Sequence, residues 1–141
     1  EIRPPLVVPP RDPPRGKGET VLVVEDELMI LEVAVEVLEG LGYHVLSTTS
    51  PVEALDIVER HDGRIDLLLT DVIMPGMNGR DLALRVRELR PDIHVLYTSG
   101  YTANVILTRG LVDQGDAFVQ KPFSTNELAL RVRALIDPPR V

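Results

Sequence analysis

Five polar side chains that could take part in chemistry each follow a short apolar run of the sequence. They are Glu25, Asp26, Asp71, Ser99 and Lys121. If the runs are parallel strands of one sheet, their carboxyl ends meet at one edge, where open α/β sheets place their chemistry. Three carboxylates gathered there repel one another, so the cluster needs positive charge. A lysine and a hard divalent cation would supply it, and all-oxygen ligands with open positions suit Mg²⁺ better than a soft metal or a fully caged Ca²⁺.

The elements that must position these side chains alternate along the chain. Apolar and β-branched runs predict strands at 21–24, 43–48, 65–70, 93–98 and 117–120. Helical spacing and capping signals predict helices at about 28–40, 51–60, 79–89 and 125–136. The segment 102–116 is expected to form only a short or mobile fourth helix, because Gly110 and Gly115 interrupt it. This order predicts a doubly wound, five-stranded parallel sheet.

The helices carry their apolar residues at intervals of three and four. Leu28, Leu31, Val35 and Leu38 recur at helical spacing in the first helix, and Leu82, Val86 and Leu89 lie on one face of the third. In the last helix, Leu128, Val132 and Leu135 are predicted to face inward. Ser50 and Ser124 each precede a glutamate by three residues, which predicts capping boxes at the starts of the second and last helices.

Composition narrows the classes of function. The chain has 141 residues, of which 44% are hydrophobic and none is cysteine. This fits one domain and excludes disulfides and thiolate metal sites. The net charge of −7 disfavours nucleic acid as a partner. No apolar stretch approaches the length of a bilayer span, so we expect no membrane contact by this chain and a cytoplasmic location.

The two ends of the chain differ from its middle. Proline pairs recur in residues 1–18, a composition typical of a linker or an unstructured tail. Residues 19–138 are predicted to form the domain, and 139–141 a short C-terminal tail. The start at Glu1 rather than at a methionine suggests a fragment of a longer protein.

The set Glu25-Asp26, Asp71, Ser99 and Lys121-Pro122-Phe123, in this order on five alternating strands, resembles the receiver domain of two-component response regulators. The resemblance covers about residues 20–137 and implies a flavodoxin-like α/β fold of five strand–helix units. It implies that Asp71 accepts a phosphoryl group from phosphohistidine, with Mg²⁺ or Mn²⁺ as the cofactor. Such a domain promotes its own phosphorylation and dephosphorylation and is not a turnover enzyme alone.

The resemblance also assigns the metal ligands. Asp26 and Asp71 are similar to direct ligands, and the backbone carbonyl of Ile73 to a further one. Glu25 stands where aspartate is commoner, and the resemblance implies that it acts mainly through coordinated water.

Other residues of the same pattern are expected to bind the phosphoryl group and respond to it. The resemblance implies that Lys121 and Ser99 bind phosphoryl oxygens, with Thr98 as the alternative hydroxyl. Gly100 would leave the site open to the donor. Phe118 resembles the switch aromatic that fills the space left when Ser99 moves, and Lys121 is expected to precede Pro122 through a cis peptide.

Several alternatives stay open at this point. Each residue of the set, taken singly, fits a turn, a helix start, a surface charge or the core at least as well as a functional site. The three histidines lack metal-ligand spacing and are expected to be structural or exposed.

The context of the domain is a separate question. We favour the receiver of a hybrid sensor histidine kinase over a stand-alone regulator. The parent chain of such a kinase could be anchored in a membrane. A DNA-binding regulator, an FMN-binding flavodoxin-like module and a phosphatase with an aspartyl nucleophile are less favoured. A histidine kinase or a histidine phosphotransfer domain would be the phosphodonor, and a weak homodimer is compatible with the family.

Overall fold

A computed structural model describes residues 12–137 of the chain. The strands are β1 (Thr20–Val24), β2 (His44–Thr48), β3 (Leu67–Asp71), β4 (His94–Ser99) and β5 (Ala117–Gln120). The helices are α1 (Leu28–Gly40), α2 (Pro51–Arg60), α3 (Gly79–Leu89), α4 (Ala103–Thr108) and α5 (Thr125–Ile136). Residues 1–11 of the predicted linker and the predicted tail at 139–141 lie outside the described residues. None of the described helices has the length and apolar composition to span a membrane.

The five strands form one parallel sheet in the order β2-β1-β3-β4-β5. The chain winds in one direction from β1 to β2 and in the other from β3 onwards. Val24 pairs with Thr70 at the carboxyl ends of β1 and β3, so the residues that follow these strands are neighbours. This reversal is the point at which open α/β sheets bind ligands. The predicted flavodoxin-like fold is confirmed.

Helices cover both faces of the sheet. On one face α2, α3 and α4 pack through buried residues such as Val58, Val86 and Ile106. On the other face α1 and α5 pack through residues such as Leu38 and Val132. The strands between these layers are buried on both sides, which explains why their sequences are nearly continuous apolar runs.

Two apolar residues of the helical patterns lie outside the core. Leu28 is 57% exposed and Leu89 is 46% exposed, although both continue the apolar spacing of their helices. Each stands at the end of its helix, as the first residue of α1 and the last of α3. Helical periodicity gives the direction of a side chain but not where the underlying sheet ends. Leu135, which was predicted to face inward, is half-buried and packs against the core, and so does Val35.

The predicted helix ends are mostly confirmed. Ser50 accepts a hydrogen bond from the amide of Glu53 at 3.2 Å, and Ser124 accepts one from Glu127 at 3.1 Å. The fourth helix is short, with 6 residues. Each strand lies within two residues of its predicted bounds, and β3 and β4 extend further toward the carboxyl edge than predicted, to include Asp71 and Ser99.

Candidate functional site

Three carboxylates meet at the carboxyl edge of β1 and β3. Glu25 and Asp26 follow β1, and Asp71 is the last residue of β3. One ligand oxygen from each lies within 4.8 Å of the others. Glu25 is 2% exposed and Asp71 is 7% exposed, whereas Asp26 is more open to solvent. The cluster predicted from the strand pattern therefore forms.

Lys121, which follows the edge strand β5, brings positive charge into this cluster. Its Nζ donates to Glu25 Oε2 at 2.9 Å and to Asp71 Oδ2 at 3.1 Å. Its backbone amide donates to the carbonyl of Ser99 at 2.9 Å, which ties the loop after β5 to the end of β4. The Lys121–Pro122 peptide is cis, as the resemblance implied. The lysine side chain is 14% exposed, so its interaction with the carboxylates is only weakly screened by water.

The charges at the site perturb one another. Burial raises the pKa of Glu25, and the negative charge of Asp71 raises it further, against the lowering effect of the hydrogen bond from Lys121. Burial by itself lowers the pKa of Lys121, but the hydrogen bond to Glu25 and the attraction of Asp71 outweigh it, so that the pKa of Lys121 is raised. The lysine is therefore held as an ammonium between two carboxylates.

The two hydroxyl candidates on β4 point to different places. Ser99 is 1% exposed and lines the same groove as Asp71 and Lys121. Its Oγ accepts a hydrogen bond from the amide of Tyr101 at 3.1 Å. Thr98 lines a small cavity under the site, against Ala34 on α1, and its Oγ1 is buried without a hydrogen-bond partner among residues 12–137. Ser99 is thus the hydroxyl residue that lines the groove together with Asp71.

Gly79 is a positioning residue that the sequence reading missed. A Cβ at this position would lie 2.2 Å from the carbonyl oxygen of Asp71 and 3.1 Å from Cα of Val72. The amide of Gly79 donates to the carbonyl of Val72 at 2.8 Å, and Asn78 caps α3 by accepting from the amide of Asp81 at 2.8 Å. The signal that could have found the contact is a glycine at the first position of a helix, where other residues serve better.

An open groove of about 700 Å³ extends from the carboxylates along α1. Asp71 and Lys121 lie at the polar end, and Met29, Val33 and Tyr101 supply much of the apolar wall. These three side chains are 81%, 56% and 51% exposed. Apolar side chains so exposed beside a polar cluster are typical of a surface that meets another molecule.

The remaining predicted site residues lie near this groove or behind it. Ile73 lines the groove and is 42% exposed. Gly100 also lines it, and a Cβ there would meet no atom within 4 Å, so its surroundings are open. Phe118 is half-buried and pairs in register with Tyr97 on β4. Its role as a switch stays a prediction.

The histidines lie away from the carboxylate cluster. His44 and His94 begin β2 and β4, at the opposite edge of the sheet, and His61 follows α2. The rings of His44 and His61 stack with their centroids 6.5 Å apart.

The donor set fits a hard divalent cation. Glu25, Asp26 and Asp71 offer only oxygen atoms, and two of the three are buried where negative charge is costly without compensation. Among residues 12–137 this is the group of acidic side chains close enough together to share an ion. The site can therefore hold a metal beside the lysine, at the mouth of an open groove.

Comparison with known proteins gives a consistent result. The family model described as "Response regulator receiver domain" matches residues 21–133. Sensor kinase CckA of Brucella abortus (strain 2308) is 37% identical over 118 residues, a match that covers 84% of this chain and 12% of CckA. Response regulator SaeR of Staphylococcus aureus (strain USA300) is 33% identical over 116 residues, covering 82% of this chain and 50% of SaeR. The chain thus spans half or less of the length of these relatives.

Solved structures agree with the sequence matches. The receiver domain of the hybrid histidine kinase CckA is 37% identical with a TM-score of 0.69, and the match covers 82% of this chain and 96% of that domain. A response regulator receiver domain protein from Clostridium thermocellum is 28% identical with a TM-score of 0.72, covering 84% of this chain and 94% of that one. The chain therefore belongs to the response regulator receiver domain family and is a receiver domain of two-component phosphorelay signalling.

Proposed function

We propose that Asp71 is the phosphoacceptor and takes its phosphoryl group from a phosphohistidine. In this step an oxygen of Asp71 bonds to phosphorus as the phosphorus–nitrogen bond breaks, and the imidazole keeps the electron pair of that bond. The observation that carries the proposal is the placement of Asp71, whose carboxylate is bound by Lys121 at the polar end of an open groove. A carboxylate is the nucleophile of other enzymes that form aspartyl phosphates.

The carboxylates of Glu25, Asp26 and Asp71, together with the backbone carbonyl of Ile73, would hold Mg²⁺ or Mn²⁺. The close approach of the three carboxylates supports this assignment. When bound, such an ion supplies positive charge to the transferring phosphoryl oxygens. Glu25 accepts the ammonium of Lys121 and is the most buried of the three, which suits it to an indirect role through coordinated water.

Lys121 and Ser99 would bind the phosphoryl oxygens once Asp71 is modified. The ammonium of Lys121 already lies 3.1 Å from an oxygen of Asp71, so it needs little movement to reach a phosphoryl oxygen on the same carboxylate. The hydroxyl of Ser99 accepts from a backbone amide and keeps its own proton to donate. Charge-assisted hydrogen bonds of this kind are the stronger ones.

The switch that follows would involve Ser99 and Phe118. Movement of Ser99 toward the phosphoryl group would leave space behind it, and the half-buried ring of Phe118, on the strand β5 that pairs with β4, would take that space. The two ring positions then form a two-state equilibrium that phosphorylation biases.

The groove along α1 would receive the donor. A phosphohistidine on a helix must come within bonding distance of Asp71, and the helix around it then lies against Met29, Val33 and Tyr101. Apolar residues flanking the donor histidine would cover these exposed side chains, which is the usual form of a helix bound in a groove. A histidine kinase or a histidine phosphotransfer domain has the required chemistry.

For the context of the domain, we favour a hybrid sensor histidine kinase. The similarity to the CckA receiver supports this reading. The proline-rich residues 1–18 would then serve as the tether that joins the receiver domain, residues 19–138, to the kinase core. A stand-alone regulator is the alternative, because relatives such as SaeR are response regulators. Sequencing the coding region upstream of Glu1 distinguishes them, since a histidine-bearing helix pair and an ATP-binding domain are expected only in a kinase. We place the domain in the cytoplasm, where phosphorelay partners meet their donors.

The chemistry is tested with a small-molecule phosphodonor such as acetyl phosphate. We expect the chain to gain one phosphoryl group in the presence of Mg²⁺, and to lose it on treatment with hydroxylamine, which cleaves acyl phosphates. Chelation of the metal by EDTA is expected to prevent labelling. Equal labelling with and without EDTA would contradict the metal assignment, and a product stable to hydroxylamine would contradict the acyl phosphate.

A further inference from the structure

The segment of residues 15–19, which precedes the sheet, is packed against the domain. The amide of Gly16 donates to the carbonyl of Leu41 at 2.7 Å, and that of Gly18 donates to the carbonyl of Gly42 at 3.2 Å. The guanidinium of Arg15 donates to the carbonyl of Gly40 at 3.1 Å. Three backbone carbonyls at the end of α1 thus find donors in a segment whose composition predicts a linker. We call residues 15–19 the strap.

Shape as well as hydrogen bonding fits the strap to its site. A Cβ on Gly16 would lie 2.8–2.9 Å from three ring atoms of Tyr43, so the backbone of the strap rests directly on the aromatic ring. Tyr43 is 5% exposed, which means that the strap and the surrounding domain bury it almost completely. Contact this close is available only to glycine, and a side chain here must displace the ring or the strap.

The strap also reaches the end of α5. Glu19 Oε1 accepts the amide of Lys17 at 2.5 Å, while Glu19 Oε2 accepts Nη1 of Arg133 at 2.6 Å. Arg133 is 8% exposed, and its guanidinium also binds Asp137 and the hydroxyl of Tyr43, the latter at 3.5 Å. One arginine therefore joins the last turn of α5, the strap and the ring on which the strap rests.

We propose that the strap is a conformational lock that couples the chain before the sheet to the end of α5. Its two attachments share Glu19, Tyr43 and Arg133, so loss of one attachment removes partners of the other. Coupling between two sites is reciprocal by thermodynamic necessity. Release of the strap should loosen the last turn of α5, and loss of the arginine should loosen the strap. A pull or a rearrangement upstream of Arg15 would then reach α5, the helix that follows the strand and loop of Lys121.

Hydrogen–deuterium exchange on the full chain tests both directions. Gly16→Val displaces the strap from Tyr43, and we expect exchange of the α5 last-turn amides to rise by about tenfold or more, which corresponds to about 1.4 kcal/mol. Arg133→Gln removes the guanidinium charge on α5 that binds Glu19 of the strap. The amides of Gly16 and Gly18 are then expected to exchange faster by a similar factor. Gly40→Ala, at the end of α1 beside the strap, is the matched control, because a Cβ at this position would meet no atom within 4 Å.

The reciprocal pattern separates a coupled lock from two local contacts. Faster exchange at residues 41–43 in Gly16→Val, with α5 unchanged, would overturn the proposal. Faster exchange throughout the domain would overturn it as well, because the strap would then support the whole fold rather than α5. If Gly16→Val does not fold, Gly16→Ala with its smaller side chain provides the same comparison. These outcomes do not depend on whether Asp71 is the phosphoacceptor.

Discussion

Replacement of Lys121 by methionine tests the electrostatic account of the site in the absence of any phosphate. The change keeps most of the aliphatic stem and removes the ammonium that contacts Glu25 at 2.9 Å and Asp71 at 3.1 Å. These two carboxylates are then left facing each other in a buried place with no cation between them. The chain's other lysine, Lys17, is exposed, so Lys17→Met is a matched control.

The size of the effect follows from the burial of the three groups. Two charge-assisted hydrogen bonds contribute about 1.5–3 kcal/mol each. The cost of burying the ammonium, which the methionine variant does not bear, offsets several kcal/mol of this. We therefore expect the free energy of unfolding without metal to fall by about 2 kcal/mol. For a domain of this size, that corresponds to a fall in Tm of roughly 6–10 °C. The Lys17→Met control is expected to change Tm by less than about 2 °C.

Mg²⁺ provides the second half of this test. An ammonium beside the carboxylates repels a dication, so Lys121→Met is expected to bind Mg²⁺ at least as tightly as the wild type. A ligand at ten times its Kd stabilises the folded state by about 1.4 kcal/mol, so Mg²⁺ should recover much of the lost Tm in the variant. Thermal denaturation followed by circular dichroism and calorimetric titration with MgCl₂ measure the two quantities. An unchanged Tm without metal, or a loss of Mg²⁺ affinity greater than about tenfold, would refute the reasoning.

Two further predictions concern positioning and pH. Gly79→Ala places a Cβ 2.2 Å from the carbonyl oxygen of Asp71. We expect this variant to lower the free energy of unfolding by about 2 kcal/mol and to slow phosphorylation by acetyl phosphate. The control Gly40→Ala should do neither, and equal effects of the two substitutions would contradict the steric argument. Although burial raises the pKa of Glu19, hydrogen bonds from the Lys17 amide and Arg133 outweigh burial and leave that pKa lowered. A lowered carboxyl pKa stabilises the folded state at pH values above the ordinary pKa of the carboxyl, and this stabilisation is lost as the pH falls through the pKa of the folded state. The difference in Tm between the wild type and Glu19→Gln should therefore be present at neutral pH and disappear in acid. A difference in Tm that persists at low pH would show that the shape of Glu19, rather than its charge, stabilises the fold.

The clustering of the site could be predicted because each step depends on local patterns. Apolar runs predict buried strands, alternation with helices predicts a parallel sheet, and a parallel sheet brings its carboxyl ends together. Glu25, Asp71 and Lys121 therefore meet although they are distant in sequence. The choice of Ser99 over Thr98 needed the strand register, which the apolar pattern leaves uncertain by one or two residues.

Contacts that depend on the exact path of loops could not be predicted in this way. The fit of Gly79 against Asp71 arises from the turn between β3 and α3, and that of Gly16 against Tyr43 from a segment with linker-like composition. The exposed position of Leu89 depends on where the sheet ends below its helix. The switch of Phe118 requires a second conformation, which a pattern of residues in one sequence does not contain.

The most direct test of the central claim compares the wild-type chain with Asp71→Asn. Both are incubated with Mg²⁺ and acetyl phosphate, and the intact mass is measured after the excess donor is removed. Asparagine is nearly isosteric with aspartate but is not a nucleophile of comparable strength, so the fold is retained while the acceptor is lost. We predict that the wild type gains one phosphoryl group and that Asp71→Asn gains none. Equal phosphorylation of the two proteins would contradict the assignment of Asp71 as the phosphoacceptor.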